Sequence, residues 1–159
     1  MLHVPHQPSN LARTGLLLSI IVFGLSLYAN LSYLFRDQPD MLALFPPFIK
    51  GVNLNHNTHL GAEYYFIARS IASGKGFSNP FQIESGPTAW MPPLYCYLLA
   101  LLILIGGSKL IVAGMVVFLK DVVLVAVGLL VYVAASKTTT RLRPWCAVLV
   151  YIIMLLTYF

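Results

Sequence analysis

Charged residues are scarce in this chain. Only 9% of its 159 residues are charged, against about 25% in a typical soluble globular domain. Hydrophobic residues make up 58% of the chain, and no internal repeat, low-complexity tract or separable polar domain is visible. This composition excludes an ordinary soluble fold. It predicts an all-α integral membrane protein, because an α-helix satisfies its own backbone hydrogen bonds where lipid offers no partners.

Cysteines and metal-binding residues are also few. The two cysteines, Cys96 and Cys146, lie in or beside apolar segments expected at different depths, so we predict buried free thiols rather than a disulfide. His56 and His59 are three residues apart, a spacing that suits a metal on a helix, but no cysteine or second acid completes a ligand set. The sequence therefore predicts no metal site and no certain cofactor, and it leaves a divalent-metal requirement open.

No cluster of basic residues is present. The chain has ten Lys and Arg and five Asp and Glu, a net charge of +5, but the cations are scattered, which excludes a nucleic-acid footprint. Short loops rich in Lys and Arg remain in the cytoplasm. Two segments fit this rule and are predicted to be cytoplasmic: residues 1–13, which end in Arg13, and residues 137–143, which contain three cations.

Long apolar runs occur at three places. A hydrocarbon core about 30 Å thick needs about 20 apolar residues in a helix, and residues 14–35 and 110–136 reach that length. The first run is too long for the core of a signal peptide and is not followed by a small-residue cleavage site, so we interpret it as a retained anchor. Residues 144–159 form a third run that stops short of a full span. We therefore expect an N-terminal fragment of a longer protein.

Residues 36–109 are predicted to form a long outer loop between the first two spans. A helix is expected at 58–73, with Gly74 as its stop. Its apolar side chains recur at spacings of three and four, which predicts an amphipathic helix lying on the membrane surface; they are Leu60, Tyr64, Ile67 and Ile71. A second helix at 92–106 starts with two prolines and is too short to span, so it is predicted to be interfacial or re-entrant.

Three charged residues are candidates for function. Glu63 lies at the edge of the apolar stripe and has no cation three or four residues away. It is either a solvated carboxylate near a helix N-terminus or, against a partly dry surface, a general base. Lys120 and Asp121 lie inside the second predicted span, where charges are costly, and either make an interhelical contact or lie near an anionic donor group.

The outer loop resembles a known family. Residues 61–78 read Gly-Ala-Glu-Tyr-Tyr-Phe-Ile-Ala-Arg-Ser-Ile-Ala-Ser-Gly-Lys-Gly-Phe-Ser, and residues 86–95 read Gly-Pro-Thr-Ala-Trp-Met-Pro-Pro-Leu-Tyr, before an apolar stretch that ends at Gly106. This order of elements resembles the first outer loop of multi-span glycosyltransferases that use lipid-linked sugars. That superfamily includes protein O-mannosyltransferases and the enzyme that adds aminoarabinose to lipid A.

The resemblance implies an inverting transfer from a polyprenyl-phosphate sugar to an acceptor lipid, glycan or protein at the outer face of a bacterial inner membrane. It implies that Glu63, the acid of the matching helix, orients or deprotonates the acceptor. The family commonly has Asp at or near the positions that Gly61 and Ala62 occupy here. Four further residues are expected to contact the substrate or membrane lipid: Tyr64, Arg69, Lys75 and Lys120.

Two other functions are compatible with the sequence. Because the family's body continues through further spans, this chain alone is expected to have little or no transferase activity, and a small non-catalytic membrane subunit or scaffold that binds partner helices is the alternative. A transporter or channel fragment fits less well, because no inverted repeat or pair of broken helices is present.

Overall fold

Five α-helices account for most of the described chain. The computed structural model describes residues 8–34, 60, 63–81, 83–138 and 144–157. The helices are α1 (Pro8–Leu34), α2 (Glu63–Ala72), α3 (Pro93–Gly106), α4 (Lys109–Thr138) and α5 (Pro144–Thr157). Within these residues the β pairing is limited to one bridge between Ser78 and Pro87. The prediction of an all-helical fold is confirmed for the described part of the chain.

Two of these helices have the length and composition of membrane spans. Leu11–Leu31 of α1 contains 21 residues and Lys109–Lys137 of α4 contains 29, and both stretches are apolar. At about 1.5 Å per residue, each is long enough to cross a hydrocarbon core of about 30 Å. The helices α3 and α5 are apolar but shorter, with 14 residues each.

The helix α1 packs on α4 through one regular stripe. Its buried side chains recur every four residues: Thr14, Leu18, Val22, Ser26 and Asn30. Residues four apart are neighbours on a helix surface, so these side chains form one continuous ridge that is inclined to the helix axis. Phe23 of α1 also contacts Phe118 of α4, with ring centroids 5.8 Å apart. The other faces of α1 expose large aliphatic side chains.

The helix α5 packs on the second half of α4. The hydroxyl of Tyr151 donates a hydrogen bond of 2.9 Å to the backbone oxygen of Leu124. Gly128 lies where α1, α4 and α5 meet, since a Cβ atom there would be 3.1 Å from Leu18 Cδ1 and 3.2 Å from Tyr151 Cε1. Close packing of the three helices at this point therefore requires a residue without a side chain.

The apolar stripe of α2 is buried against α3. Tyr64 and Ile67 of α2 are buried together with Cys96 and Leu99 of α3, and the same cluster continues to Val112 of α4. The sequence predicted that this stripe would face a membrane surface, whereas the side chains of α3 cover it in the structure. The helix α2 is therefore held by protein contacts along its apolar face.

Two residues, Gly107 and Ser108, connect α3 to α4. Gly107 has a φ of 68°, a left-handed conformation that glycine adopts at no steric cost. The connection is so short that α3 folds back along the first half of α4 as a helical hairpin. His56 and His59, the histidine pair noted in the sequence, lie outside the described residues.

Both cysteines are free thiols, but only one is buried. Cys96 lies in the cluster between α2 and α3, whereas Cys146 is exposed. The prediction of a buried thiol at Cys146 is therefore wrong. The helix α5 packs mainly on α4, so the side of α5 that carries Cys146 is uncovered in the described structure.

Replacing Gly128 with valine is expected to destabilise the bundle. The added side chain would overlap Leu18 and Tyr151, and overpacking of this kind costs about 1–3 kcal/mol. Gly114 is the matched control, because it lies on the same helix and a Cβ atom there meets nothing within 4 Å. The free energy of unfolding, measured by denaturant titration in detergent micelles, should fall for Gly128→Val and change little for Gly114→Val. Equal losses would contradict this packing.

Candidate functional site

The helix α2 is delimited by local signals at both ends. Glu63 begins the helix, where a carboxylate interacts favourably with the helix dipole. At the other end Gly74 has a φ of 78°; its N–H donates to Ile71 O at 3.0 Å, and the N–H of Lys75 donates to Ser70 O at 2.9 Å. This pair of bonds is the Schellman arrangement, in which a left-handed glycine ends a helix.

The segment after α2 forms a hydrogen-bonded loop that returns towards the start of that helix. Asn79 N donates to Gly86 O at 2.9 Å, and Thr88 N donates to Phe77 O at 3.1 Å. The side-chain oxygen of Thr88 then accepts a bond of 3.2 Å from the backbone N–H of Trp90. These bonds fix the path of the chain and place the indole of Trp90 beside the first turn of α2.

Trp90 and Glu63 form the polar centre of the candidate site. The indole Nε1–H of Trp90 donates a hydrogen bond of 3.1 Å to Glu63 Oε2. Trp90 is 67% exposed and Glu63 is half-buried, so the carboxylate is held in place and is still reachable from solvent. An indole N–H is a donor only. It therefore orients the carboxylate without competing for a proton.

Tyr64 follows Glu63 in α2 and contacts a second tyrosine, Tyr95 of α3. The rings of Tyr64 and Tyr95 meet edge to face with centroids 5.2 Å apart, a favourable arrangement for an aromatic pair. Burial raises the pKa of Tyr64 well above its usual range, and the neighbouring Tyr95 and Glu63 raise it further. Burial also raises the pKa of Tyr95 to about 12. Both phenols therefore stay neutral at physiological pH and can donate hydrogen bonds.

A cation–π contact connects α2 to the start of α4. The Nζ atom of Lys109 lies 5.4 Å from the ring centroid of Tyr65, within the distance of about 6 Å at which such contacts are attractive. Tyr65 follows Tyr64 in the same helical turn. The contact therefore helps to set the rotation of α2 that presents Glu63 to Trp90.

Arg69 and Lys75 line a separate cavity, at the opposite end of α2. The cavity has a volume of about 280 Å³. Lys75 forms an ion pair with Glu84, and the hydrogen bond and charge of Lys75 lower the pKa of the Glu84 carboxyl. Arg69 is exposed, because it points away from the stripe that packs on α3.

Lys120 lies in a third place, an apolar groove between α3 and α4. The groove has a volume of about 230 Å³, and its remaining lining is Tyr95, Leu98, Leu99, Leu102, Val116, Leu119, Val123 and Leu124. Tyr95 joins the two regions, since it lines the groove and also contacts Tyr64. Asp121 is buried, with 2% of its surface exposed, and does not line the groove. The two adjacent charges therefore have different surroundings.

The structure divides the five predicted site residues into three groups. Glu63 and Tyr64 lie together, Arg69 and Lys75 line one cavity, and Lys120 lies apart in the groove.

Trp90 is a candidate site residue that its place in the sequence does not reveal. Its position two residues before the proline pair that begins α3 marks the end of a loop. That pattern alone does not indicate Glu63 as its partner.

Comparison with known proteins identifies no relative: no protein family matches this chain, and no curated protein or solved structure is significantly similar to it. The resemblance to lipid-linked-sugar glycosyltransferases therefore stays a prediction from the motifs of the outer loop. Among the described residues, no group of three His, Cys, Asp or Glu side chains could hold a metal ion.

Replacing Tyr95 with phenylalanine is expected to reduce the alkaline sensitivity of the fold. The pKa of Tyr95 is about 12 in the folded chain and about 10 in an unfolded chain. The stability that depends on the neutral phenol is therefore complete below about pH 10 and is lost as the pH rises towards about 12. The free energy of unfolding, measured in detergent across this range, should fall less steeply with pH for Tyr95→Phe.

Tyr97→Phe is the control for this measurement. Tyr97 lies on the same helix and is 54% exposed, so its replacement removes a phenol hydroxyl from α3 without touching the buried cluster. If Tyr95→Phe and the unchanged chain lose stability at the same rate above about pH 10, the buried environment inferred for Tyr95 is wrong.

Proposed function

We propose that this chain is an integral membrane protein that carries part of a glycosyltransferase site at the outer membrane face. The helices α1 and α4 cross the membrane, and α2 with the loop that follows it lies at the outer surface. The site transfers a sugar from a polyprenyl-phosphate donor to a hydroxyl group of an acceptor lipid, glycan or protein. The setting is a bacterial inner membrane, as the motifs of the outer loop imply.

The membrane placement is supported by the surfaces of the long helices. In each of the two candidate spans only 28% of the most apolar window is buried inside the protein. The remaining surface carries large apolar side chains, including Tyr28, which is 76% exposed, and Leu130, which is 67% exposed. Apolar surface of this extent is unfavourable in water and favourable in a hydrocarbon core.

The hydrogen bond between Trp90 and Glu63 is the observation that carries the proposal. The two residues are 27 positions apart in the sequence. They belong to the two separate motifs on which the resemblance depends, the acidic helix and the Trp-Met-Pro-Pro entry to α3. The two motifs thus meet at one carboxylate that is held in position and reachable from solvent. Acid–base chemistry on a bound hydroxyl needs a carboxylate of this kind within hydrogen-bond distance.

In this mechanism Glu63 acts on the acceptor hydroxyl. The carboxylate accepts a hydrogen bond from the hydroxyl, and the indole of Trp90 keeps the carboxylate in position. As the acceptor oxygen forms a bond to the anomeric carbon, the bond from that carbon to the phosphate oxygen breaks and the hydroxyl proton passes to Glu63. Polyprenyl phosphate leaves with the bonding electron pair, and attack from the opposite face inverts the anomeric centre.

The residues around Glu63 have supporting roles in this proposal. Tyr95 is neutral, so it can donate a hydrogen bond to the sugar without adding charge beside the carboxylate, and the buried ring of Tyr64 packs against it. The groove that starts at Tyr95 is apolar except for Lys120. It is suited to the hydrocarbon chain of the donor, with Lys120 as a cation for the donor phosphate.

Replacing Glu63 with glutamine is expected to lower sugar transfer by about 10²–10⁴-fold, because the amide cannot accept the proton of the acceptor. The measurement is transfer of labelled sugar from a panel of polyprenyl-phosphate sugars, in membranes that contain the protein. Glu63→Asp retains a carboxylate and should restore part of the rate. Lys137→Gln is the control for expression and membrane insertion. Unchanged transfer in Glu63→Gln would exclude this role.

Trp90→Phe separates positioning from proton transfer. Phenylalanine keeps an aromatic ring and removes the N–H that holds Glu63, so we expect a loss of about tenfold, smaller than for Glu63→Gln. A loss equal to that of Glu63→Gln would mean that Trp90 does more than orient the carboxylate.

A non-catalytic scaffold is the second candidate function. The exposed apolar faces of α1 and α4 favour it, because such faces also suit contacts with helices of partner proteins. Two results together would support the scaffold function over the enzymatic one. Glu63→Gln and Glu63→Asp would both leave transfer unchanged, and Leu130→Trp would abolish co-purification of a partner membrane protein.

A further inference from the structure

A polar cavity at the C-terminal end of α2 is separate from the cluster around Glu63. Its polar lining consists of Arg69, Ser70, Ser73, Lys75, Asn79 and Glu84. Ser70 is seven residues after Glu63, which is about 10 Å along a helix. The volume of the cavity is about 280 Å³, slightly smaller than the volume of sites for drug-sized ligands, which is about 300–1,000 Å³. The cavity therefore suits one small polar group.

Asn79 fixes the shape of this cavity. It has a φ of 54°, which is uncommon for a residue other than glycine. Its Oδ1 accepts hydrogen bonds of 3.0 Å from Ser85 N and 2.9 Å from Gly86 N, and its Nδ2 donates to Ser70 Oγ at 3.3 Å. One side chain thus joins both arms of the loop to α2, so the cavity wall is built by specific bonds.

Several lining groups can donate hydrogen bonds to a ligand. Arg69 forms no ion pair with any described residue, and its guanidinium group has five N–H donors. The hydroxyl of Ser70 accepts the bond from Asn79, which leaves its own hydrogen to donate. Asn79 Nδ2 has a second N–H. A guanidinium group binds phosphate oxygens with two parallel hydrogen bonds, and neutral donors nearby can add further bonds.

Other lining groups can accept hydrogen bonds. Ser73 Oγ donates to Ser70 O at 3.0 Å, so its lone pairs can accept bonds from a ligand. The Glu84 carboxylate is paired with Lys75 and has lone pairs to spare. The two cations, Arg69 and Lys75, outnumber the one carboxylate, so the lining has a net positive charge. This charge favours an anionic ligand, and the acceptors favour one that also carries hydroxyl groups.

We infer that this cavity binds a phosphorylated polyol. The phosphate is bound by Arg69 with Ser70 and Asn79, and the hydroxyl groups of the polyol are bound by Ser73 and Glu84. The rings of Phe66 and Phe81, which also line the cavity, cover the carbon skeleton. A soluble sugar phosphate and the phosphoglycerol headgroup of an anionic lipid share this chemistry. The inference does not depend on sugar transfer by Glu63.

Binding of glucose 1-phosphate to the full chain in detergent, measured by calorimetry, tests the inference. Arg69→Gln should weaken binding by about tenfold or more, because it removes charge-assisted bonds to the phosphate. Arg69 is exposed, so this variant should fold normally, and its melting temperature checks that it does. Lys137→Gln removes one exposed cation far from the cavity along the chain and should leave the affinity unchanged. Ser70→Ala should weaken binding by a few fold.

Native mass spectrometry identifies the source of the phosphate. The full chain is released from vesicles of phosphatidylcholine and phosphatidylglycerol, and the retained lipids are counted. If the unchanged chain and Lys137→Gln retain phosphatidylglycerol and Arg69→Gln does not, the ligand of the cavity is a lipid headgroup. Binding of glucose 1-phosphate without such retention would assign it to a soluble sugar phosphate. If neither ligand binds, or if the two variants change binding equally, the inference is overturned.

Discussion

The packing of α2 on α3 is the contact on which the candidate sites depend. Tyr64 and Ile67 are buried against Cys96 and Leu99, so a helix of ten residues, too short to be stable alone in water, is held in one orientation. Because successive residues of a helix point about 100° apart, fixing the apolar face also fixes where Glu63 and every other polar side chain of α2 points.

Two polar sites of different chemistry follow from that orientation. At the start of α2 the carboxylate of Glu63 accepts a hydrogen bond from the indole N–H of Trp90. The neutral phenols of Tyr64 and Tyr95 form a pair in the same region. At its end Arg69 lines a donor-rich cavity shaped by Asn79. The loop that connects α2 to α3 contributes to both, since its hydrogen bonds position Asn79 and Trp90. The long helices α1 and α4, which have the length and composition of membrane spans, supply the framework on which this unit is built.

Sequence periodicity was informative wherever a feature is local. The spacing of Tyr64, Ile67 and Ile71 indicates one face of a helix, and Gly74 ends that helix through bonds to its own last turn. Periodicity does not identify what covers a face, so it did not show that α3 shields the stripe. It also missed the bond between Glu63 and Trp90, because that contact spans 27 positions and depends on the path of the intervening loop.

We expect the unit formed by α2, α3 and their connecting loop to be exposed at the outer face of a membrane that α1 and α4 cross. The most direct test is labelling of single cysteines in intact cells with a membrane-impermeant thiol reagent, in a chain whose two cysteines are replaced by alanine. Ser85→Cys should be labelled from outside, and Lys137→Cys only after the membrane is permeabilised. Labelling of Ser85→Cys only after permeabilisation would contradict the account.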